Sequence, residues 1–284
     1  MTKSTLVGGS SLISISVGDY STALVSLLAA IVFALVNFYS FRLRSYTGKH
    51  KNQILSLFGG VTAAYVFLDL LPSLQISNEY LKQLGSSNQV IILYEDAIFL
   101  VIFLGFLLFF SLESIAVKSR EDKIKENQEL NKVKASRKVY LVHFSALAFL
   151  TFVLSFTLMF EYQASILSGL LFTFAVSLHL FITDNTLMEN YEDRLLRTGR
   201  YIATIIPLAG WLASVVFPEK IAEAYILLAF ISGAILYQSI KDEIPSVYKK
   251  RSLALFLAGA ILYALLLLGY SLSSHYLLSF LREL

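Results

Sequence analysis

Residues 58–72 read FGGVTAAYVFLDLLP. A single charged side chain, Asp69, interrupts that run, and Pro72 closes it. A surface helix of a soluble domain keeps a polar face, and this stretch has none. Extended to about residues 53–74 it is long enough to cross a hydrocarbon core of ~30 Å at 1.5 Å per residue. Seven more stretches share the property, at about 21–41, 95–117, 139–160, 165–184, 201–217, 221–240 and 252–273. Each is expected to be a helix, because lipid offers no hydrogen-bond partner to an open backbone. The fold class is therefore all-α: a polytopic membrane protein with about eight transmembrane helices.

Composition agrees. The chain has 284 residues, of which 56% are hydrophobic and 15% charged, with a mean hydropathy of +0.68. Soluble domains carry about 25% charged residues. Here the charges gather in short runs between the apolar stretches. A net charge of +3 gives no reason to expect a nucleic-acid partner. With no cysteine, disulfides, zinc–thiolate sites, iron–sulfur clusters and thiol nucleophiles are excluded. No apolar core of a cleavable signal is seen in the first twenty residues, so the first spanning helix is expected to direct insertion.

The opening stretch has a counterpart. Residues 230–245 read FISGAILYQSIKDEIP, and without gaps the two share Gly60/Gly233, Asp69/Asp242 and Pro72/Pro245. The following helices also match, FLGFLLF at 103–109 beside FLAGAILY at 256–263, with a shift of one residue. Helices 2 and 7 of an eight-span chain run in opposite senses, so such a repeat is inverted, a construction common in secondary transporters. Ordinary membrane packing also uses glycine and proline in this way.

Basic residues set the orientation. With the N-terminus outside, the inner loops hold 19 Lys and Arg and the outer segments 4: Lys3, Lys82, Lys220 and Arg282. The positive-inside rule then puts both termini on the non-cytoplasmic side. The organisation reads as one membrane domain: a first helix triplet (1–117), a polar cytoplasmic loop (118–138), a central helix pair (139–190) and a second triplet (191–284).

In this pattern the chain resembles the ZIP (Zrt/Irt-like) metal transporters. The resemblance is carried by Gly59, Gly60, Asp69 and Pro72 in helix 2 and by FLLFFSLE, ending at Glu113, in helix 3. It implies eight helices in a 3+2+3 inverted-repeat architecture, both termini outside, and a divalent metal such as zinc as the transported substrate. That family's helix 4 and 5 ligand motifs are largely missing. Phe144 follows His143, and Leu147 stands where a carboxylate is expected. On helix 5 His179 matches, while Leu180, Ile182 and Thr183 replace the other motif residues.

Ionisable groups within lipid cost about 2.5–3.5 kcal/mol each on insertion scales, so each needs a reason. His179, Asp184 and Glu189 are the candidate metal ligands, being imidazole and carboxylates suited to zinc, manganese or iron. Asp184 is rotated about 140° from His179 on a regular helix, so a second helix must complete any such site. The alternative is a His bonded to a neighbouring helix, with the carboxylates among headgroups. Asp69, Thr151, Ser155, His143 and Asp242 are candidates for a pathway or gate. Their alternatives are interfacial placement for Asp69 and Asp242, back-bonding to the helix for Thr151 and Ser155, and a structural role for His143. Glu113 reads as interfacial. Lys241 lies too near a helix end to carry a buried chromophore.

Three functional classes follow: a ZIP-like secondary transporter or channel for a divalent cation, a sensor or partner protein that keeps the fold without the metal site, and an intramembrane hydrolase. The last lacks an HExxH, an HxxxH and a G-x-S-x-G signature. The lipid bilayer is the expected partner. Gly210 and Ser214 mark a tight helix face, either within the bundle or between copies in a homo-oligomer.

Overall fold

The computed structural model describes residues 17–47, 50–75, 97–127, 137–191, 193–218, 221–243 and 252–283. Eight helices account for nearly all of them, and no strand occurs among the described residues. They are α1 (Val17–Thr47), α2 (Lys51–Tyr65, continuing to residue 75), α3 (Ala97–Asn127), α4 (Arg137–Ala164), α5 (Ile166–Asn190), α6 (Asp193–Val216), α7 (Ile221–Gln238, continuing to residue 243) and α8 (Leu253–Glu283). Each contains a segment long and apolar enough to cross a membrane, from Tyr20–Ser40 in α1 to Leu253–Leu272 in α8. All eight segments coincide with the predicted stretches to within a few residues. The architecture fits an integral, multi-pass membrane protein. Helix α3 runs on into the polar stretch as far as Asn127, and residues 128–136 lie outside the described residues.

Local chemistry explains the irregularities. The α4–α5 turn is a single residue, Ser165, with extended backbone (φ −167°, ψ 140°), whose hydroxyl accepts from the Leu167 N–H at 3.3 Å. That is an N-cap that lets one helix end and the next begin at once. Pro207 lies inside α6. A proline cannot donate to the carbonyl four residues back, which here is that of Ala203. Asn37 of α1 makes good the loss: its Nδ2 donates to the Ala203 carbonyl at 2.9 Å. In lipid, where water is absent, such a repair is needed for a broken helix to persist. Nearby, Trp211 Nε1 donates to Ser26 Oγ at 3.0 Å, a second tie between α6 and α1.

Two helix pairs approach most closely, α2 with α8 and α3 with α7. A Cβ added at Gly60 would run into the Phe256 carbonyl, and one at Gly259 into that of Leu57. In the other pair, Gly233 faces the Ile102 carbonyl and Gly105 that of Phe230. Small residues permit this backbone-on-backbone packing, the main source of helix association in lipid. Helices α2 and α7 each contain a π-helical turn, Val66–Leu70 and Ser239–Glu243. Gly210 meets the Phe152 carbonyl of α4 and Ser214 is fully buried, so that tight face packs within the bundle.

The core is apolar and continuous. Phe33, Val66, Leu154, Leu158, Ile231 and Ile235 are essentially inaccessible and belong to a single cluster drawn from α1, α2, α4 and α7, which Phe172 and Ala175 of α5 join. The outward side of α8 shows Leu257, Ile261, Leu265 and Leu268, the surface a lipid-facing helix presents. The bundle has two distinct ends. One holds the Ser165 turn. The other, called the basic end below, holds Lys118, Lys138, Arg197, Arg200 and Lys241.

Candidate functional site

A buried charged pair lies at the basic end. Lys241 Nζ is 2.5 Å from Glu113 Oε1. The residues come from α7 and α3, the helices locked by Gly105 and Gly233, so the close crossing sets the two side chains side by side. From the sequence Glu113 reads as interfacial. It is 7% exposed, so the carboxylate lies inside the bundle and its ammonium partner makes that tolerable. Lys241 sits in the π-helical turn Ser239–Glu243. Such turns displace side chains from the regular helical track and frequently mark functional positions.

His143 extends the pair into α4. Its Nε2 is 3.8 Å from Glu113 Oε2, and its Nδ1 is 2.8 Å from the Tyr191 hydroxyl. With Nε2–H facing the carboxylate, Nδ1 accepts from Tyr191. Burial first, then the Glu113 carboxylate and the neighbouring Tyr140, push the Tyr191 phenol well above its ordinary pKa, so it remains a donor. The chain Lys241–Glu113–His143–Tyr191 thus joins α7, α3, α4 and the end of α5.

Space flanks the pair on both sides. An open groove of about 530 Å³ is lined by Glu113, Lys118, Glu121, Asp122, Tyr237 and Lys241. Inward lies a much smaller cavity, about 10 Å³, bounded by His143, Thr183, Gln238 and the same two charged residues. Thr183 Oγ1 donates to Gln238 Oε1 at 3.4 Å across its wall. Lys241 and Glu113 therefore stand between an open vestibule and the closed interior.

A second cavity, about 80 Å³, lies beside this one and is lined by Asn37, Ser40, Tyr140, Asp184, Arg197 and Arg200 among others. Ser40 Oγ donates to Asp184 Oδ2 at 2.6 Å. Arg200 lies over the Phe38 ring at 5.1 Å and the Tyr201 ring at 5.2 Å, which holds its guanidinium along α6 and α1. Tyr140, which lines this cavity, meets Tyr191 edge-on with ring centroids 5.1 Å apart.

The predicted residues are distributed as follows. Asp184 faces α1 and the larger cavity. His179 is buried at 2% exposure. The side chain of Glu189 lies outside the described residues, as does that of Asp242, whose backbone belongs to the π-helical turn of α7. Among the described residues no three His, Asp or Glu side chains converge to hold a metal ion. Thr151 and Ser155 donate to the carbonyls of Leu147 and Thr151 at 2.9 and 2.8 Å, so their hydroxyls are engaged by their own helix. Asp69, at the Ser165 end, accepts from the Tyr263 hydroxyl at 3.0 Å.

Sequence reasoning missed the Glu113–Lys241 pair, Tyr191, Asn37, Ser40 and Arg200. Compared with known protein families, with curated proteins and with solved structures, the chain matches none.

Proposed function

We propose that the chain is a ZIP-like secondary transporter or channel for a divalent metal cation, built as a 3+2+3 inverted repeat with both termini on the non-cytoplasmic side. The observation that carries this reading is the pair of π-helical turns. The register that sets Gly60 on Gly233 also sets Leu57 on Phe230 and Val66–Leu70 on Ser239–Glu243. A second register sets Gly105 on Gly259 and Ile102 on Phe256. Under these two registers the α2–α8 crossing becomes the α7–α3 crossing, glycine for glycine and carbonyl for carbonyl. The second one favours the glycine alignment over the phenylalanine alignment of the sequence comparison.

Inverted halves of this kind exchange access between two faces of a membrane. Each π-helical turn carries an ionisable residue within lipid, Asp69 on one and Lys241 on the other. Lys241, paired with Glu113, stands as the gate on the basic, cytoplasmic side. Displacement of its ammonium by an arriving cation frees the Glu113 carboxylate as a ligand, and His143 is beside it.

A second reading is favoured by the same pair. An ammonium already neutralises Glu113, which is the arrangement expected of a sensor or partner protein that keeps the fold and binds no metal there. Flux separates the two. Purified protein reconstituted in liposomes is expected to admit Zn²⁺ or Mn²⁺ faster than protein-free vesicles, and Glu113→Gln is expected to slow it at least tenfold. Folded protein that moves neither ion would favour the second reading. Bound-metal analysis of wild type and His179→Ala tests whether His179 contributes a ligand.

A further inference from the structure

At the Ser165 end, far from the pair just described, two half-buried carboxyl groups, each bonded to a hydroxyl, lie near each other. Asp69 of α2 accepts from Tyr263 of α8 at 3.0 Å. Glu161, in the last turn of α4, accepts from Ser168 of α5 at 3.5 Å. The two carboxyl groups lie within electrostatic reach of each other. Neither forms an ion pair with a cationic side chain among the described residues. Both belong to membrane-spanning segments. Two carboxylates in so poor a solvent cannot both remain ionised without a counter-charge.

A third group points to what supplies that charge. The Tyr65 hydroxyl is completely buried and has no hydrogen-bond partner among the described residues. Its ring packs on Tyr263, the residue bonded to Asp69, and Asp69, Glu161 and Tyr263 all act on it electrostatically, so this oxygen belongs to the same neighbourhood. The ring is fixed there by edge-on contacts with Phe172 and Tyr263, centroids 6.1 Å apart in each case. A buried phenol without a partner is costly unless something else occupies the site.

We infer that Asp69, Glu161, Tyr65 and Tyr263 form a binding site for one hard divalent cation at the Ser165 end of the bundle. The donors are all oxygen, the set that hard cations prefer. The two carboxylates bring two negative charges, matching one divalent ion. Ser168 sits close enough to Glu161 to orient it. The site goes beyond the transport reading, because binding here requires no flux.

The test uses the full chain in lipid nanodiscs with Mn²⁺ as the probe, followed by loss of the free-ion paramagnetic resonance signal. One Mn²⁺ per chain is expected. Asp69→Asn and Glu161→Gln should each weaken binding at least tenfold, and Tyr65→Phe several-fold, while Ser111→Ala, on the exposed face of α3, leaves it unchanged. Tyr65→Phe keeps the ring contacts, so it reports on the site even if a carboxyl variant misfolds. Failure of the wild type to take up Mn²⁺ would overturn the inference and leave a shared proton as the counter-charge. So would uptake that persists in a folded Asp69→Asn, Glu161→Gln double variant. Liposome flux is measured separately. Site-dependent binding without flux sinks the transport reading alone, and flux with binding indifferent to these four residues sinks this inference alone.

Discussion

Lys241 and Glu113 meet at 2.5 Å across the α7–α3 crossing, with the carboxylate 9% and the lysine 28% exposed at the side chain. A pair so enclosed is held by mutual compensation, and removing Lys241 deprives the Glu113 carboxylate of its ammonium. Lys241→Met is therefore expected to destabilise the protein by on the order of 3 kcal/mol. The double variant Glu113→Gln, Lys241→Met should recover most of that loss. Thermal unfolding in detergent, read as a double-mutant cycle, measures it. Additive losses would show that the two residues do not compensate each other.

Asn37 and Pro207 form another such unit. Asn37→Leu strands the Ala203 carbonyl and should cost about 1–3 kcal/mol. Restoring the helical donor with Pro207→Ala should make the same Asn37→Leu change markedly cheaper. The comparison needs only four melting curves.

The four glycines at the two close crossings should respond alike. Gly60→Val and Gly233→Val each force a side chain into a carbonyl, of Phe256 and Ile102 respectively. Losses of about 1–3 kcal/mol are expected from each. Gly269 has nothing within 4 Å of its would-be Cβ, so Gly269→Ala should leave stability unchanged.

Tyr191→Phe removes the donor to His143 Nδ1 and should cost about 0.5–1.5 kcal/mol. The pH dependence has a definite sign. The folded protein holds the Tyr191 phenol above its ordinary pKa, so its contribution is complete below about 10 and is lost as pH climbs past that value. Wild type should thus lose more stability than Tyr191→Phe between neutral and strongly alkaline solution. Equal losses would mean the phenol is not held in its protonated form.

Much of this was legible in the chain and some was not, for physical reasons. The eight spans were readable because lipid imposes length and apolarity on every segment that crosses it, and Asp69 stood out as a single charge in such a segment. Gly60 and Gly233 were visible as a match, but which backbone each would meet depended on a crossing that no local pattern encodes. Asn37 gave no signal of its own, since its role exists only opposite Pro207. Glu161 fell one residue past the predicted end of its helix at residue 160, and so was not singled out. Helix α4 in fact continues to Ala164, which carries that carboxylate into the bundle. Glu113 was misjudged similarly: a carboxylate near a helix end looks interfacial until its cation on another helix is known.

The most direct test of the mirrored architecture exploits the absence of cysteine. Single cysteines at Gln75, beyond the π-helical turn of α2, and at Lys118, beside the groove at the end of α7, report the two faces. A maleimide that cannot cross membranes is expected to label Gln75→Cys on intact cells and Lys118→Cys only after the membrane is opened. Labelling of both from one side, or of Lys118→Cys alone from outside, would contradict it.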